Sequence, residues 1–295
     1  MLLRSKSGDP IMKFAASMFF TDYSMTPGEL GKAMEERGFE SLWAPEHSHI
    51  PAAPKVKFPY GGDIPKKYYD IMDPFVCLTA AAMATTTLRL GTGVCLLAQR
   101  DPIQTAKLVA SLDHISNGRF IFGIGSGWLQ DEIENHGVAF KDRHKVVRER
   151  VEAMKAIWTQ DVAEYHGEFV NFDPMSTWPK PVQKPHPPIL VGGAFPHSAR
   201  RAIRYADGWM PQVTAEATTD LGELIPRFRQ MAAEAGREPD SLSISVWGQT
   251  GDLERMKRFR DLGADRVATS LDSAKADVIL PVLDRWAEII RDVNG

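Results

Sequence analysis

The chain has 295 residues, 43% of them hydrophobic and 25% charged, with a formal net charge of -3. That balance leaves no Lys and Arg excess to hold nucleic acid or an anionic membrane, so neither is expected as a partner. No apolar run approaches the roughly 20 residues that span a bilayer, and the N-terminal MLLRSKSGDPI lacks the apolar core of a signal peptide.

Met12 opens the first strand pattern, which sets residues 1–11 apart as an N-terminal extension and makes 12–295 one domain. Residues 13–20 read as a strand, and Thr26-Pro27-Gly28-Glu29 is a capping box with proline at the first helical position. That helix ends at Gly38, and residues 39–45 form the second strand. After a long irregular stretch, Asp73-Pro74 caps the helix FVCLTAAAMAT, and residues 88–97 follow as the third strand. Asp101-Pro102 repeats the cap for IQTAKLVASLDHIS, which stops at Asn117-Gly118 before a fourth strand at 119–125 and a long helix at 141–159. Residues 189–192, 209–213, 242–247 and 266–270 supply strands five to eight, each followed by a helical pattern.

Strict alternation implies a parallel sheet with right-handed crossovers, and eight units close into a single (β/α)8 TIM barrel. A doubly wound open sheet is the rival arrangement. The surplus over a minimal barrel lies at 47–72, after strand two, and at 161–188, before strand five. Long loops in compact domains are usually lids or binding loops. In the second insertion AEYHGEFVNF reads as a hairpin turning at His166-Gly167, and WPKPVQKPHPP as a proline-stiffened return. Cys77 and Cys95 fall in apolar runs without metal-ligand spacing and read as small core residues, which fits a reducing cytoplasm.

In such a barrel the active site lies where strands end and helices begin. These ends are rich in glycine and aromatic residues, as in Gly93-Val94-Cys95, Gly125-Ser126-Gly127-Trp128 and Gly192-Gly193-Ala194-Phe195. Glycine lets backbone approach a flat, conjugated ligand, so a broad ring is the expected occupant. NGRFIFGIGSGWLQDE departs from the dinucleotide fingerprint, because its sixth position is Trp128. Gly192-Gly193, just before Pro196-His197-Ser198 opens a helix, is the better phosphate candidate. His47 and His49, at i and i+2 after strand two, raise a metal-dependent hydrolase as a competing reading. It lacks further ligands, with only Asp272 near strand eight.

FESLWAPEHSHIP, LRLGTGVCLLAQRDPIQTAKLVASLDHISNGRFIFGIGSGWLQDE and PPILVGGAFPHSARRAIRYADGW, in that order, resemble the luciferase-like monooxygenase superfamily, specifically its coenzyme F420-dependent oxidoreductase branch. The resemblance covers residues 12–211 and implies a flavin or deazaflavin across the strand ends, with hydride transfer at the ring. It implies a cis peptide at Gly93-Val94 behind the ring, an active-site histidine at His47 after Glu46, and a phosphate loop at Gly192, Gly193 and the residues that follow. The implied cofactor set is Glu46, Gly93, Val94, Cys95, Gly125, Trp128, Gly192, Gly193, Ala194 and Ser198, with His47 catalytic and Glu46 holding its imidazole.

One departure bears on substrate. Relatives that oxidise a sugar phosphate carry a catalytic glutamate where this chain has Trp128, and strand ends six to eight begin without Lys or Arg. The expected reaction is therefore hydride transfer between F420 and a small, largely uncharged organic molecule. An FMN-dependent monooxygenase is the alternative. The helix at 75–85, apolar on every face, is expected near the two-fold axis of a homodimer.

Overall fold

The structure, a computed structural model, describes residues 11–211 and 221–295. All of the expected extension at residues 1–11 but Ile11, and the end of the sixth strand at 212–213, lie outside the described residues.

Chain order is β1 (Lys13–Met18), α1 (Pro27–Glu35), β2 (Ser41–Ala44), α2 (Lys66–Tyr69), α3 (Pro74–Ala84), β3 (Arg89–Thr92), β4 (Cys95–Leu96), α4 (Pro102–Ile115) and β5 (Phe120–Gly125). Then come α5 (Gln130–Asn135), α6 (Arg143–Thr159), the hairpin strands β6 (Ala163–His166) and β7 (Asn171–Met175), β8 (Ile189–Gly192), α7 (His197–Tyr205), β9 (Gly208–Met210), α8 (Leu221–Glu234), β10 (Ser243–Val246), α9 (Leu253–Asp261), β11 (Arg266–Leu271) and α10 (Ala276–Asn294).

The caps foreseen in the sequence are in place. Thr26 and Glu29 close a reciprocal capping box, Asp73 accepts from the Phe75 and Val76 N–H groups at 2.8 and 3.1 Å, and Asp101 accepts from Gln104 N–H at 2.8 Å. Asn117, at φ 54°, and Gly118 end α4 in the left-handed region.

The strands pair in parallel in the order β3-β2-β1-β11-β10-β9-β8-β5, with β4 also on β5. Because β3 pairs β5 and β1 pairs β11, the sheet closes on itself as an eight-staved (β/α)8 barrel. That closure rules out the open sheet.

Strand periodicity of two fixes what faces inward. Ala15, Trp43, Ile121, Leu190, Met210 and Ala268 pack as one cluster inside the barrel, with Val94 and Trp247 against it. The alternate positions form the larger core between strands and helices. The base is closed by charge: Arg266 donates to both Glu40 carboxylate oxygens, at 2.6 and 2.8 Å. Burial alone would raise the Glu40 carboxyl, but the Arg266 guanidinium outweighs it and holds the group at about 2.

Two expectations need correction. The third strand is not continuous, because the peptide Gly93-Val94 is cis and pairing resumes only at Cys95. The long helix starts at Arg143, after a tight turn at Phe140–Asp142. On its inner side α3 meets α1 closely: a Cβ on Gly28 would lie 3.3 Å from Ala84 Cβ, and one on Gly31 3.4 Å from Ala81 Cβ.

Candidate active site

The C-terminal ends of the strands surround a cavity of about 350 Å³, within the usual range for small-molecule sites. Its floor follows from the strand glycines. A Cβ on Gly91 would lie 2.3 Å from the Trp43 ring, and one on Gly93 would lie 2.4 Å from the Trp247 ring. Cβ atoms on Gly125 and Gly192 would lie 2.5 and 2.9 Å from the two Val94 methyls. The room left by these glycines is therefore filled by Val94 and two tryptophans, not held open for a ligand's own approach. Val94 and Trp247 then face the cavity. Among the described residues Trp247 Nε1 is buried without a hydrogen-bond partner.

One end of the cavity carries basic side chains. Arg201 on α7 and His144 on α6 both line it, beside Gly192, Gly193 and Ser126. Gly193, at φ 128°, brings backbone to Arg201: a Cβ there would lie 4.0 Å from Nη2. His144 Nδ1 is 2.7 Å from Ser126 Oγ. Burial, then the charges of Arg201, Arg143 and His197, depress the His144 imidazole to about 4. Among the described residues neither Arg201 nor Arg143 pairs with a carboxylate, and Arg143 Nε is buried without a partner. Cations gathered without acids are a site prepared for an anion.

The other end is aromatic. Trp128 lines the cavity, and beyond it stands His47, its ring 5.8 Å from the indole and edge-on to it. His47 Nδ1 is 2.8 Å from Glu132 Oε2, with the side chains only 6% and 1% exposed. The other Glu132 oxygen accepts the Ser48 N–H at 2.7 Å. Burial would raise the Glu132 carboxyl, but the hydrogen bond and charge of His47 and the Ser48 N–H hold it below its ordinary value. With Nδ1–H committed to Glu132, Nε2 is the nitrogen left for proton exchange.

The first insertion folds over this end. Phe58 packs against Tyr68 at 5.3 Å and Trp128 at 5.7 Å, and Pro59 and Tyr60 line the cavity. The Lys55 N–H donates to Asp131 at 2.7 Å, tying the insertion to α5.

These features fit a flat ligand with one anionic end: a Val94 shelf for the ring and a cation cluster for the anion. A profile of the Luciferase-like monooxygenase family matches residues 27–250. The chain belongs to the luciferase-like monooxygenase family. An uncharacterized protein of Mycobacterium tuberculosis is 38% identical over 282 residues, covering 94% of this chain and 98% of its own length. The F420-dependent hydroxymycolic acid dehydrogenase of Mycobacterium tuberculosis is 27% identical over 270 residues, covering 87% of this chain and 70% of its own. In fold the chain is similar to an F420-dependent secondary alcohol dehydrogenase solved with an F420-acetone adduct, at a TM-score of 0.75 and 18% identity, covering 97% of this chain and 100% of that one.

Within this luciferase-like fold, Gly93, Val94, Gly125, Trp128, Gly192 and Gly193 come together around the cavity, and the Gly93-Val94 peptide is cis. The remaining residues of the expected set do not line it. Cys95 is fully buried in the main core, and burial pushes its thiol well up. Ser198 Oγ donates to Gly193 O and Ala194 O and accepts from Trp209 Nε1 at 2.8 Å, so it shapes the glycine turn from behind. Ala194 is exposed on that turn.

Glu46 does not hold His47. Its carboxylate accepts the Leu96 N–H at 2.6 Å and pairs with Arg100, fixing the segment after the cis peptide. His47 and His49 do not converge on a metal position either, and among the described residues no group of three or more His, Cys, Asp or Glu could hold one. Glu132, His144 and Arg201 were missed in the sequence. Arg201 alone carried a local signal: a basic residue in the first turns of the helix that follows the glycine pair.

Proposed function

We propose that the chain is an oxidoreductase that moves a hydride between coenzyme F420 and a small, largely uncharged organic substrate, with His47 giving or taking the accompanying proton. The observation that carries this reading is the polarity of the cavity, with Arg201, unpaired with any carboxylate among the described residues, at one end, and at the other Trp128, whose far side meets a histidine–carboxylate pair that borders a neighbouring cavity. Arg201, His144 and the Gly192-Gly193 turn would hold the phosphate, and Val94 would back the ring. A bound deazaflavin supplies two-electron hydride chemistry. The F420 dependence named for the 27% identical relative supports this choice of cofactor.

His47 exchanges its proton at Nε2, since Glu132 keeps Nδ1–H in one tautomer. Trp128 lines the cavity and packs edge-on against the imidazole, which borders a neighbouring cavity, so this side chain would govern which substrates reach His47. The rings of Phe58, Tyr68 and Trp128 around that approach suit an uncharged molecule. Separate titrations of the purified protein with F420 and FMN test the reading. F420 is expected to bind; tight FMN binding without F420 binding would move the chain to the oxygen-using alternative.

The same proposal includes a cytoplasmic homodimer. Val76 and Met83, 69% and 74% exposed, leave the outer face of α3 apolar, and a second copy would cover it. A monomer by light scattering at micromolar concentration would refute this.

A further inference from the structure

The short helix α5 sends its acidic side chains in two directions. Glu132 turns inward to His47. Asp131 and Glu134, three residues apart and so on one face, turn to the first insertion. Asp131 Oδ2 accepts the Lys55 N–H at 2.7 Å, Asp131 Oδ1 pairs with Lys55 Nζ at 2.7 Å, and Glu134 lies 3.4 Å from the same Nζ. Ile133, fully buried between them, seats the helix on the turn that presents Trp128: a Cβ on Gly127, at φ 77°, would lie 2.9 Å from Ile133 Cδ1.

Beyond Lys55 the insertion runs out to an unsupported tip. Phe58 sets its ring 5.7 Å from Trp128 and 5.2 Å from Tyr60, and the Gly61 N–H donates to Phe58 O at 3.1 Å to close a turn. That turn places Pro59 and Tyr60 in the cavity wall, together with Val94 and Gly193. Gly61 and Gly62 follow at positive φ, and a Cβ on either would meet nothing within 4 Å. Where this wall lies is therefore set from Lys55. The Lys55 side chain is 65% exposed and that of Asp131 10%, so the ion pair is open to salt while the carboxylate is held close to the main chain.

We propose that Asp131 is a positioning residue that, through Lys55, seats residues 55–62 as a strap over the cavity, and that release of this contact is the step that lets a ligand in or out. That the ligand is F420 rests on the proposed function; the strap does not. The main-chain half carries most of the hold, because an N–H on a carboxylate is worth more than an ion pair exposed to water. The strap also bears on specificity. Phe58 rides on it and packs on Trp128, which in turn packs on His47, so the position of the strap sets the room a substrate finds before Trp128.

Hydrogen–deuterium exchange of the full chain, read by mass spectrometry at residues 50–64, measures the strap without a cofactor. Asp131→Ala removes both contacts and is expected to speed exchange there about tenfold. Asp131→Asn, which keeps an acceptor for the Lys55 N–H, and Lys55→Met, which removes only the ion pair, should each speed it about two- to fivefold. Added salt should speed exchange in the wild-type segment and leave Lys55→Met unchanged. Dissociation of F420, followed by its fluorescence in stopped flow, should quicken in the same order. Unchanged exchange in Asp131→Ala overturns the strap, and so does an equal rise within α5, since Asp131 would then hold only its own helix. Faster exchange with unchanged F420 dissociation overturns the gate. If F420 does not bind, the proposed function falls and FMN dissociation reads the gate in its place; binding of neither overturns the gate. F420 binding with unchanged exchange sinks the strap alone.

Discussion

The two ends of the cavity handle charge in opposite ways. At the α6–α7 end, Arg201, Arg143 and His144 gather without an acid among the described residues, and the imidazole is forced toward its neutral form. Beyond Trp128, His47 has its own carboxylate at 2.8 Å, buried with it. An end that leaves its cations unpaired reserves them for a ligand, while an end that pairs its histidine fixes a tautomer and does chemistry. Binding and proton transfer should therefore separate by mutation.

The largest break is expected at the paired end. His47→Ala should lower turnover by at least about a hundredfold, the lower bound for a positioned acid or base, while the fold and cofactor affinity stay intact. Steady-state rates beside a cofactor titration check this; weakened binding with an unchanged saturated rate would reassign His47 to holding the cofactor.

The next effects fall on affinity. Arg201→Ala should weaken cofactor binding by more than about tenfold, or 1.4 kcal/mol, with little change in the saturated rate. Gly193→Asp should do as much, because it sets a carboxylate against the phosphate end at a position with φ 128° and a Cβ 3.3 Å from Ser198 Cβ. Fluorescence titration reads both. Affinity equal to the wild type in Arg201→Ala would remove this end from the cofactor site.

The smallest effect sharpens the contrast through pH. His144 is depressed from 6.5 to about 4, so a bound phosphate that raises it makes binding take up a proton. Affinity should then rise as pH falls from about 6.5 toward 4, by less than about tenfold per unit, and the slope should vanish in His144→Gln. The same depression acts on stability with the opposite trend for the free protein. The unfolded chain protonates first, so stability present above pH 6.5 is lost as pH falls toward about 4. Thermal melts of wild type and His144→Gln across that window measure it.

Most of the barrel was legible because its signals are local. Thr26, Asp73 and Asp101 announce helix starts within three residues, and Asn117-Gly118 announces an end. The short helices α2 and α5, of four and six residues, carry too few turns for a periodic pattern. The site was half legible. Glycines at strand ends marked the cavity, but what fills them did not show, because Val94 meets Gly192 only across barrel strands. Glu132 stands 85 residues from His47 in sequence, and no local pattern sets it above the adjacent Glu46, which turns away to Arg100. Pairing over such a distance is decided by the closed sheet and by the insertion that packs on α5.

One titration tests the division of labour most directly: F420 fluorescence followed against wild type, His47→Ala and Arg201→Ala under the same conditions. The account predicts that wild type and His47→Ala bind alike, while Arg201→Ala binds more than about tenfold more weakly. No binding to the wild type, or a loss at His47 with none at Arg201, would contradict it.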